Sequence, residues 1–253
     1  EIPKRDWSSD VCSSDLVTYA VGRRVLRLGA PDAAALAAHY GSVSAVTYTA
    51  AESFASAAGT LSEGYFPALV ALMEFPGIVL ALLLVARSRA GGSLAHSMRE
   101  VLTGKSVVLL VGGIAVGLIT TDAGYDRVAP LFATLFPGVL CLFLIDLGTL
   151  AGQHLVRLRA SAARVAAFAI VAPVLLGALG VVVGTSIGLS VGGAGLLGAM
   201  AASASYIAAP AAVRVGLPGA DLGTALLASL GITFPFNLAL GIPLYAELAA
   251  RIA

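Results

Sequence analysis

The chain has 253 residues, of which 58% are hydrophobic and 11% are charged, and its formal net charge is +1. Soluble domains carry about 25% charged residues, so this composition excludes an ordinary soluble domain and predicts an all-α polytopic membrane protein. The sequence has no basic cluster with interleaved aromatic residues, and we expect no nucleic-acid partner. We also expect no cofactor, and no metal ligands among the three histidines, His39, His96 and His154, which lack ligand spacing.

Residues 1–16, EIPKRDWSSDVCSSDL, differ in kind from the rest of the chain. They are polar and lack the apolar segment of a signal peptide. They look like a spurious leader of the type found at the broken ends of metagenome-derived translations. We predict that they are not native, and a genuine polar tail is the alternative. The following VTYAV, at 17–21, looks like the end of a membrane span.

Seven apolar runs are long enough to cross about 30 Å of hydrocarbon. They lie at 33–59, 64–86, 103–121, 128–150, 161–184, 190–212 and 222–249. Basic residues collect in alternate loops, around Arg23, Arg87, Arg157 and Arg214. By the positive-inside rule we place these loops in the cytoplasm and the C-terminus outside.

Two spans are interrupted by small and polar residues, and each is followed by a span that contains a Phe-Pro pair. The interruptions are HYGSVSAVTYTAA at 39–51, before Phe75-Pro76, and AMAASASYIAAPAA at 199–212, before Phe234-Pro235. A proline inside a span frees backbone groups that side chains, ions or water must satisfy. By the orientation above, the two interrupted spans run in opposite directions, which is typical of the inverted repeats of secondary carriers.

The repeat predicts how the chain is divided. Residues 17–88 would form an incomplete N-terminal repeat with the end of a third span and the fourth and fifth spans. Residues 89–102 would be a cytoplasmic loop, and residues 103–253 a complete five-span repeat. We therefore expect an N-terminally truncated ten-span carrier. Three further spans encoded upstream would confirm the repeat, and their absence would overturn it.

The interruptions carry the chemistry that the rest of the chain lacks. A helix interrupted inside the membrane exposes free N–H groups at a partially positive end, which suits a small anion. Serine and threonine oxygens, with freed carbonyls, suit a hard cation such as sodium. We expect the two interruptions to face one another and to hold both ions. Three carboxylates in or near spans are further candidates, namely Glu74, Asp146 and Glu52.

Three alternatives compete with this interpretation of the small and hydroxyl residues. Small residues in membrane helices commonly serve close packing, and we assign that role to GAGLLGA at 193–199. An ion channel is a second alternative, although channels do not require inverted broken helices. An intramembrane serine protease would pair Ser42 or Ser44 with His39. That pairing is unfavourable because all three lie on one short segment, whereas a nucleophile and its base must meet in hydrogen-bond geometry.

Five stretches carry a resemblance to a known family. They are YGSVSAVTYTAA, ALMEFPGIVLA, LCLFLIDLG, AASASYIAAPAAVRVGLP and LGITFPFNLALGIPLY, within residues 17–253. The chain resembles the sodium-dependent bicarbonate transporters of the cyanobacterial type and their wider bacterial relatives. The resemblance implies a symporter of the bacterial plasma membrane, not an enzyme, that takes up bicarbonate with sodium by alternating access. A carrier of another small anion or a monocarboxylate is the alternative.

The resemblance also implies a site. Carried onto this chain, the anion would contact Gly41, Ser42, Val43, Ser44, Ser203, Ala204, Ser205 and Tyr206. Sodium, the one metal ion expected, would use Ser44, Thr47, Glu74, Ser203, Ser205, Thr233 and Asn237. Spans 103–121 and 128–150 would belong to a gate domain, and the protein would be a homo-oligomer, often a trimer.

The chain departs from the cyanobacterial pattern in two places. Where those members hold an aspartate in the second interruption, this chain has Tyr206, which removes a charged ligand. The cytoplasmic loop at 87–102 is also shorter than theirs. Binding of their small PII-like regulatory protein is therefore not carried over.

Overall fold

The structure, a computed structural model, describes residues 7–70, 72–74, 103, 105–136, 138–139, 141–142, 145, 149, 162–217 and 219–253. The elements in these residues are helices, without a strand. They are α1 (Trp7–Arg24), α2 (Ala30–Tyr40), α3 (Ala45–Ala57), α4 (Lys105–Ile119), α5 (Asp122–Ala129), α6 (Ala162–Ser186), α7 (Val191–Ala201), α8 (Ala208–Gly216) and α9 (Leu222–Ile252). Residues 66–70 and 72–74 are also helical.

By length and composition, two helices of the described part could cross a membrane, at Ala163–Ser186 and Leu222–Ile252. They coincide with the predicted spans at 161–184 and 222–249. Helix α4 falls inside the predicted span at 103–121, and the spans at 64–86 and 128–150 lie partly outside the described residues. The total number of spans therefore stays a prediction.

The predicted spans at 33–59 and 190–212 are each two helices with a short non-helical segment between them. Helix α2 ends at Tyr40 and α3 begins at Ala45, while α7 ends at Ala201 and α8 begins at Ala208. We call the intervening residues 41–44 and 202–207 the first and second break. Both fall inside the small and polar stretches that predicted an interruption.

Helix α1 starts inside the predicted leader and runs without interruption to Arg24. It packs along α2, where a Cβ added to Gly22 would lie 3.0 Å from the Cβ of Ala33. Asp15 lies against the backbone of Gly41, in the first break. Whether residues 1–16 are native stays a prediction.

The apolar core divides at the two breaks. Helices α2 and α8 share one cluster of buried side chains, whereas α3 and α7 share another. Tyr40 belongs to the first cluster and Val43 to the second, while Ala202 belongs to the second and Ala204 to the first. Helices α6 and α9 contribute to both clusters, so they form the continuous support against which the two broken helices pack.

Helices α6 and α7 approach closely through small residues. A Cβ added to Gly184 would lie 2.8 Å from the Cα of Ala194, and one added to Gly198 would lie 2.9 Å from the carbonyl oxygen of Gly177. Such contacts leave no room for a side chain at these glycines. The packing role predicted for residues 193–199 is confirmed.

Helix α9 is interrupted around its proline in a different way from the broken helices. Two π-helical segments, Leu227–Thr233 and Asn237–Gly241, flank the short α-helical piece Phe234–Phe236. Because Pro235 has no N–H, regular α-helical bonding cannot continue through it. The distortion leaves α9 continuous and places Thr233 and Asn237 on either side of the proline, both buried.

Candidate functional site

The two breaks touch directly. The backbone N–H of Ser205 donates to the carbonyl oxygens of His39, at 2.7 Å, and of Ser42, at 3.0 Å. In the other direction, the backbone N–H of Ser44 donates to Oγ of Ser203 at 2.9 Å. These bonds join residues far apart in the sequence, so the breaks face one another as predicted.

Serines also cap the helices that leave each break. Ser44 is the N-cap of α3, and its Oγ accepts the backbone N–H of Thr47 at 3.2 Å. Ser205 lies two residues before Ile207, the N-cap of α8, and its Oγ accepts the N–H of Ala209 in the first turn of that helix at 3.3 Å. A serine oxygen at an N-cap satisfies one of the four orphan N–H groups of a helix start. The chain therefore needs hydroxyl residues at the breaks for structural reasons as well.

The breaks bring helix ends of both polarities to one place. Helices α3 and α8 begin there, with partially positive N-termini, and α2 and α7 end there, with partially negative carbonyl groups. The side chains around these ends are buried, with 1% exposure at Ser42, 4% at Ser44 and 2% at Ser203. In such a site, an anion and a hard cation can each find partners of the right sign.

Tyr206 lies in the second break and is 3% exposed. Its ring packs on Phe234, with the ring centroids 5.1 Å apart. Its hydroxyl lies beside the Ser44 side chain but has no hydrogen-bond partner. A buried hydroxyl without a partner is uncommon and requires a reason. Tyr206 thus offers the site an unused hydrogen-bonding group.

His39, on the last turn of α2, also holds an unused group. Its Nδ1 lies 2.7 Å from the carbonyl oxygen of Ala35, which can only accept, so Nδ1 carries the proton and Nε2 a lone pair. The side chain is fully buried and Nε2 has no partner. The spacing of the histidines predicted no metal-ligand role for His39. Ser42 bonds a carbonyl and Ser44 caps α3, so neither forms the nucleophile–base pair of a protease with His39.

The remaining predicted residues lie around the breaks with varied surroundings. Val43 and Ala204 are buried within them, and Thr47 is buried on the first turn of α3. Glu74 is half-buried, and its backbone carbonyl accepts the Ser42 hydroxyl at 2.8 Å. Thr233 donates to the Ala169 carbonyl of α6, and Asn237 donates to the Ala202 carbonyl in the second break.

Two other carboxylates were candidates. Glu52 is half-buried on α3, and Asp146 lies outside the described residues. Across the part of the chain that the structure covers, no group of three or more His, Cys, Asp or Glu residues could hold a metal ion. An oxygen-lined sodium site at the breaks would need no such group.

Broken helices that meet end to end in a buried polar site are characteristic of membrane transporters. A family model described as the Na+-dependent bicarbonate transporter superfamily matches residues 12–250, and the chain belongs to that superfamily. The superfamily is one of transporters rather than enzymes, and it places the protein in a membrane. A comparison with curated proteins gave no match.

Proposed function

We propose that the protein is a sodium-coupled symporter that takes up bicarbonate across the bacterial plasma membrane by alternating access. The observation that supports this most is the contact between the two breaks, which gathers two helix N-termini and two helix C-termini in one buried place. The buried polar and charged residues of the described part include no Lys or Arg. Backbone N–H groups and hydroxyls would therefore carry the recognition of an anion.

The anion would lie at the starts of α3 and α8. The N–H groups of Ala45 and Val46 on α3 and of Ala208 on α8 would donate to its oxygens, helped by the partial positive charge of the helix end. The N–H groups of Thr47 and Ala209 already donate to serines, and Pro210 has none. The Tyr206 hydroxyl, which lacks a partner, would donate as well. Such a site favours a small, compact anion. Because the Tyr206 hydroxyl is neutral, it would donate to a monocarboxylate as well as to bicarbonate. A monocarboxylate is therefore the second candidate substrate.

Sodium would lie against the carbonyl groups at the ends of α2 and α7. Buried residues in or next to the breaks would offer it hydroxyl oxygens, namely Ser44, Thr47, Ser203 and Ser205. Glu74 is linked to the first break through Ser42. Hard oxygen ligands of this kind suit sodium. A cation beside the anion lowers the free energy of burying either charge, and this mutual dependence would couple the two fluxes.

Matching contacts at the far ends of the broken helices support two inverted repeats. At the start of α7, the Glu63 carboxylate accepts the backbone N–H and the hydroxyl of Ser190, both at 2.7 Å. At the start of α2, the Asp32 carboxylate accepts the backbone N–H of Asp221 at 2.8 Å. In both cases an acidic side chain ties the start of one broken helix to the loop that follows the other.

Ligand-dependent thermal unfolding in detergent micelles tests the binding claim. A ligand at 100 times its Kd stabilises a protein by about 2.7 kcal/mol, so bicarbonate should raise the unfolding temperature in sodium buffer. With sodium replaced by choline at equal ionic strength, the rise should disappear. An equal rise with acetate would favour the monocarboxylate carrier.

Two variants sharpen this test. Ser205→Leu should abolish the rise, because a bulky apolar side chain would fill the second break. Ser186→Leu, an exposed position at the end of α6, should keep it. No rise with bicarbonate in sodium, or a rise that survives Ser205→Leu, would contradict a sodium and bicarbonate site at the breaks.

A further inference from the structure

Thr233 hydrogen-bonds a carbonyl that a proline has set free. In α6, Pro173 has no N–H, so the carbonyl of Ala169, four residues earlier, lacks its helical donor. The Thr233 hydroxyl donates to that carbonyl oxygen at 2.6 Å, and both residues are buried. The bond joins α9 to α6 at an interior carbonyl that has no donor from its own helix.

The Thr233 hydroxyl is also hydrogen-bonded to Tyr40, the last residue of α2. Tyr40 Oη lies 2.7 Å from Oγ1 of Thr233. Because Thr233 has given its single proton to Ala169, Tyr40 must be the donor of this bond. The Tyr40 ring also packs edge-on against Phe168, with the centroids 4.8 Å apart. Helix α2 is therefore tied to α6 immediately before the first break.

A second set of bonds leads from the same turn of α6 to α7. The Tyr245 hydroxyl shares its one proton between two acceptors, the carbonyl oxygen of Pro173 at 3.0 Å and Oδ1 of Asn237 at 3.3 Å. The Asn237 amide nitrogen then donates to the carbonyl oxygen of Ala202 at 2.9 Å, where α7 ends at the second break. A Cβ added to Gly177 would lie 2.5 Å from Cζ of Tyr245, so that glycine makes room for the ring.

We propose that the Pro173 turn of α6 is an anchor that sets the spacing of the two breaks. One arm runs through Thr233 and Tyr40 to the end of α2, and the other through Tyr245 and Asn237 to the end of α7. Thr233 and Asn237 are then positioning residues, which replaces the role of sodium ligands that the resemblance implied for them. The expected effect of this anchor on ion binding rests on the proposed function. The hydrogen bonds that form the anchor do not depend on that function.

A double-mutant cycle tests the first arm without any ligand. Thr233→Val keeps the shape of the side chain but leaves both the Ala169 carbonyl and the Tyr40 hydroxyl unpaired, so the unfolding temperature should fall by several degrees in sodium-free buffer. Only the first of these two costs depends on Pro173. Thr233→Ser should restore the unfolding temperature. Pro173→Ala gives residue 173 an N–H for that carbonyl, so Thr233→Val should cost markedly less in the Pro173→Ala background.

The control for the cycle is Thr120→Val. Thr120, the residue after α4, donates its hydroxyl to the Val116 carbonyl of that helix at 2.6 Å, and this carbonyl also accepts the Thr120 backbone N–H. The fall in unfolding temperature for Thr120→Val should be small, and it should be the same with and without Pro173. An equal loss for Thr233→Val with and without Pro173, or no loss in sodium-free buffer, would overturn the anchor.

Tyr40→Phe separates positioning from stability. It keeps the bond between Thr233 and Ala169, so the unfolding temperature should change little, but it detaches α2 from the anchor. The bicarbonate and sodium concentrations for half-maximal thermal stabilisation should both rise, by roughly threefold to tenfold. Tyr125→Phe, at an exposed position of α5, should leave both unchanged.

The outcomes distinguish this inference from the function on which it partly rests. If the unaltered protein is not stabilised by bicarbonate and sodium, the proposed function fails, and the double-mutant cycle alone decides whether the anchor exists. If the unaltered protein is stabilised and Tyr40→Phe needs no more of either ion, the positioning role is refuted.

Discussion

Ser203→Ala probes the contact between the two breaks with the removal of one oxygen atom. That oxygen accepts the Ser44 N–H at 2.9 Å, and the two residues are 2% and 4% exposed. Without it the N–H is buried and unpaired, which costs about 1–3 kcal/mol. The second bond of the hydroxyl adds little, because its acceptor, the Met200 carbonyl, also receives the Ser203 N–H at 3.0 Å.

Thermal unfolding in detergent micelles measures this cost. A change of 1 kcal/mol shifts the unfolding temperature of a chain of this size by about 2–4 °C, so Ser203→Ala should lower it by roughly 2–12 °C. Amide hydrogen exchange at Ser44 should become faster at the same time. The matched control is Ser186→Ala, which removes the same atom from an exposed site where it donates to the Val182 carbonyl.

The free energy of unfolding of Ser186→Ala should lie within about 0.5 kcal/mol of that of the unaltered protein. If Ser203→Ala is as stable as Ser186→Ala, and the Ser44 amide exchanges no faster, the two breaks are not joined in solution by this bond.

Three further predictions concern packing, charge and transport. Gly198→Ala should destabilise by about 1–3 kcal/mol in the same unfolding assay, because a Cβ there would meet α6, whereas Gly112→Ala, on open helix surface, should not destabilise. Glu63 lies in a loop outside the spans: partial burial raises the pKa of its carboxyl, but hydrogen bonds from Ser190 and Ser62 outweigh this and hold the pKa below its ordinary value of 4.5. Because the pKa of Glu63 is lower in the folded state, the ionised carboxylate stabilises the fold above pH 4.5, and this stabilisation is lost as the pH falls through the folded-state pKa. In a pH series of unfolding temperatures, Glu63→Gln should lack this acid-dependent loss. Ser205→Leu should abolish bicarbonate uptake while the protein still folds and inserts, and uptake that survives would remove the second break from the site.

The breaks were predictable from sequence because their composition is unusual for a span. Runs such as GSVS and SASY place hydroxyl residues beside small ones in otherwise apolar segments. Such residues compete for backbone hydrogen bonds and favour caps over helix interiors. Hydropathy alone still counted 33–59 and 190–212 as single spans, because an average over a window does not register a few non-helical residues.

The partners across the fold could not be predicted in the same way. Pro173 predicts that the Ala169 carbonyl needs another donor, but nothing local identifies Thr233, which lies 64 residues further along the chain. The family resemblance implied that Thr233 and Asn237 bind sodium. The structure shows that each of them donates a hydrogen bond to a backbone carbonyl outside its own helix.

Tyr206 and His39 are of interest because each buries a polar atom that has no hydrogen-bond partner. An exposed tyrosine or histidine satisfies its polar atoms with water, so neither would suggest a site. Both are buried here with one polar atom unpaired, which the sequence does not encode locally. A tyrosine inside an otherwise small and polar break was the one available signal.

Uptake of radiolabelled bicarbonate into proteoliposomes tests the central claim most directly. The protein would be expressed with whatever residues its gene encodes before residue 1, and measured at constant pH with either an inward sodium gradient or equal choline. A sodium-coupled symporter predicts uptake that rises with the sodium gradient, exceeds equilibrium with the outside solution, and disappears in Ser205→Leu. Uptake that is the same in choline, or none above protein-free vesicles, would contradict it.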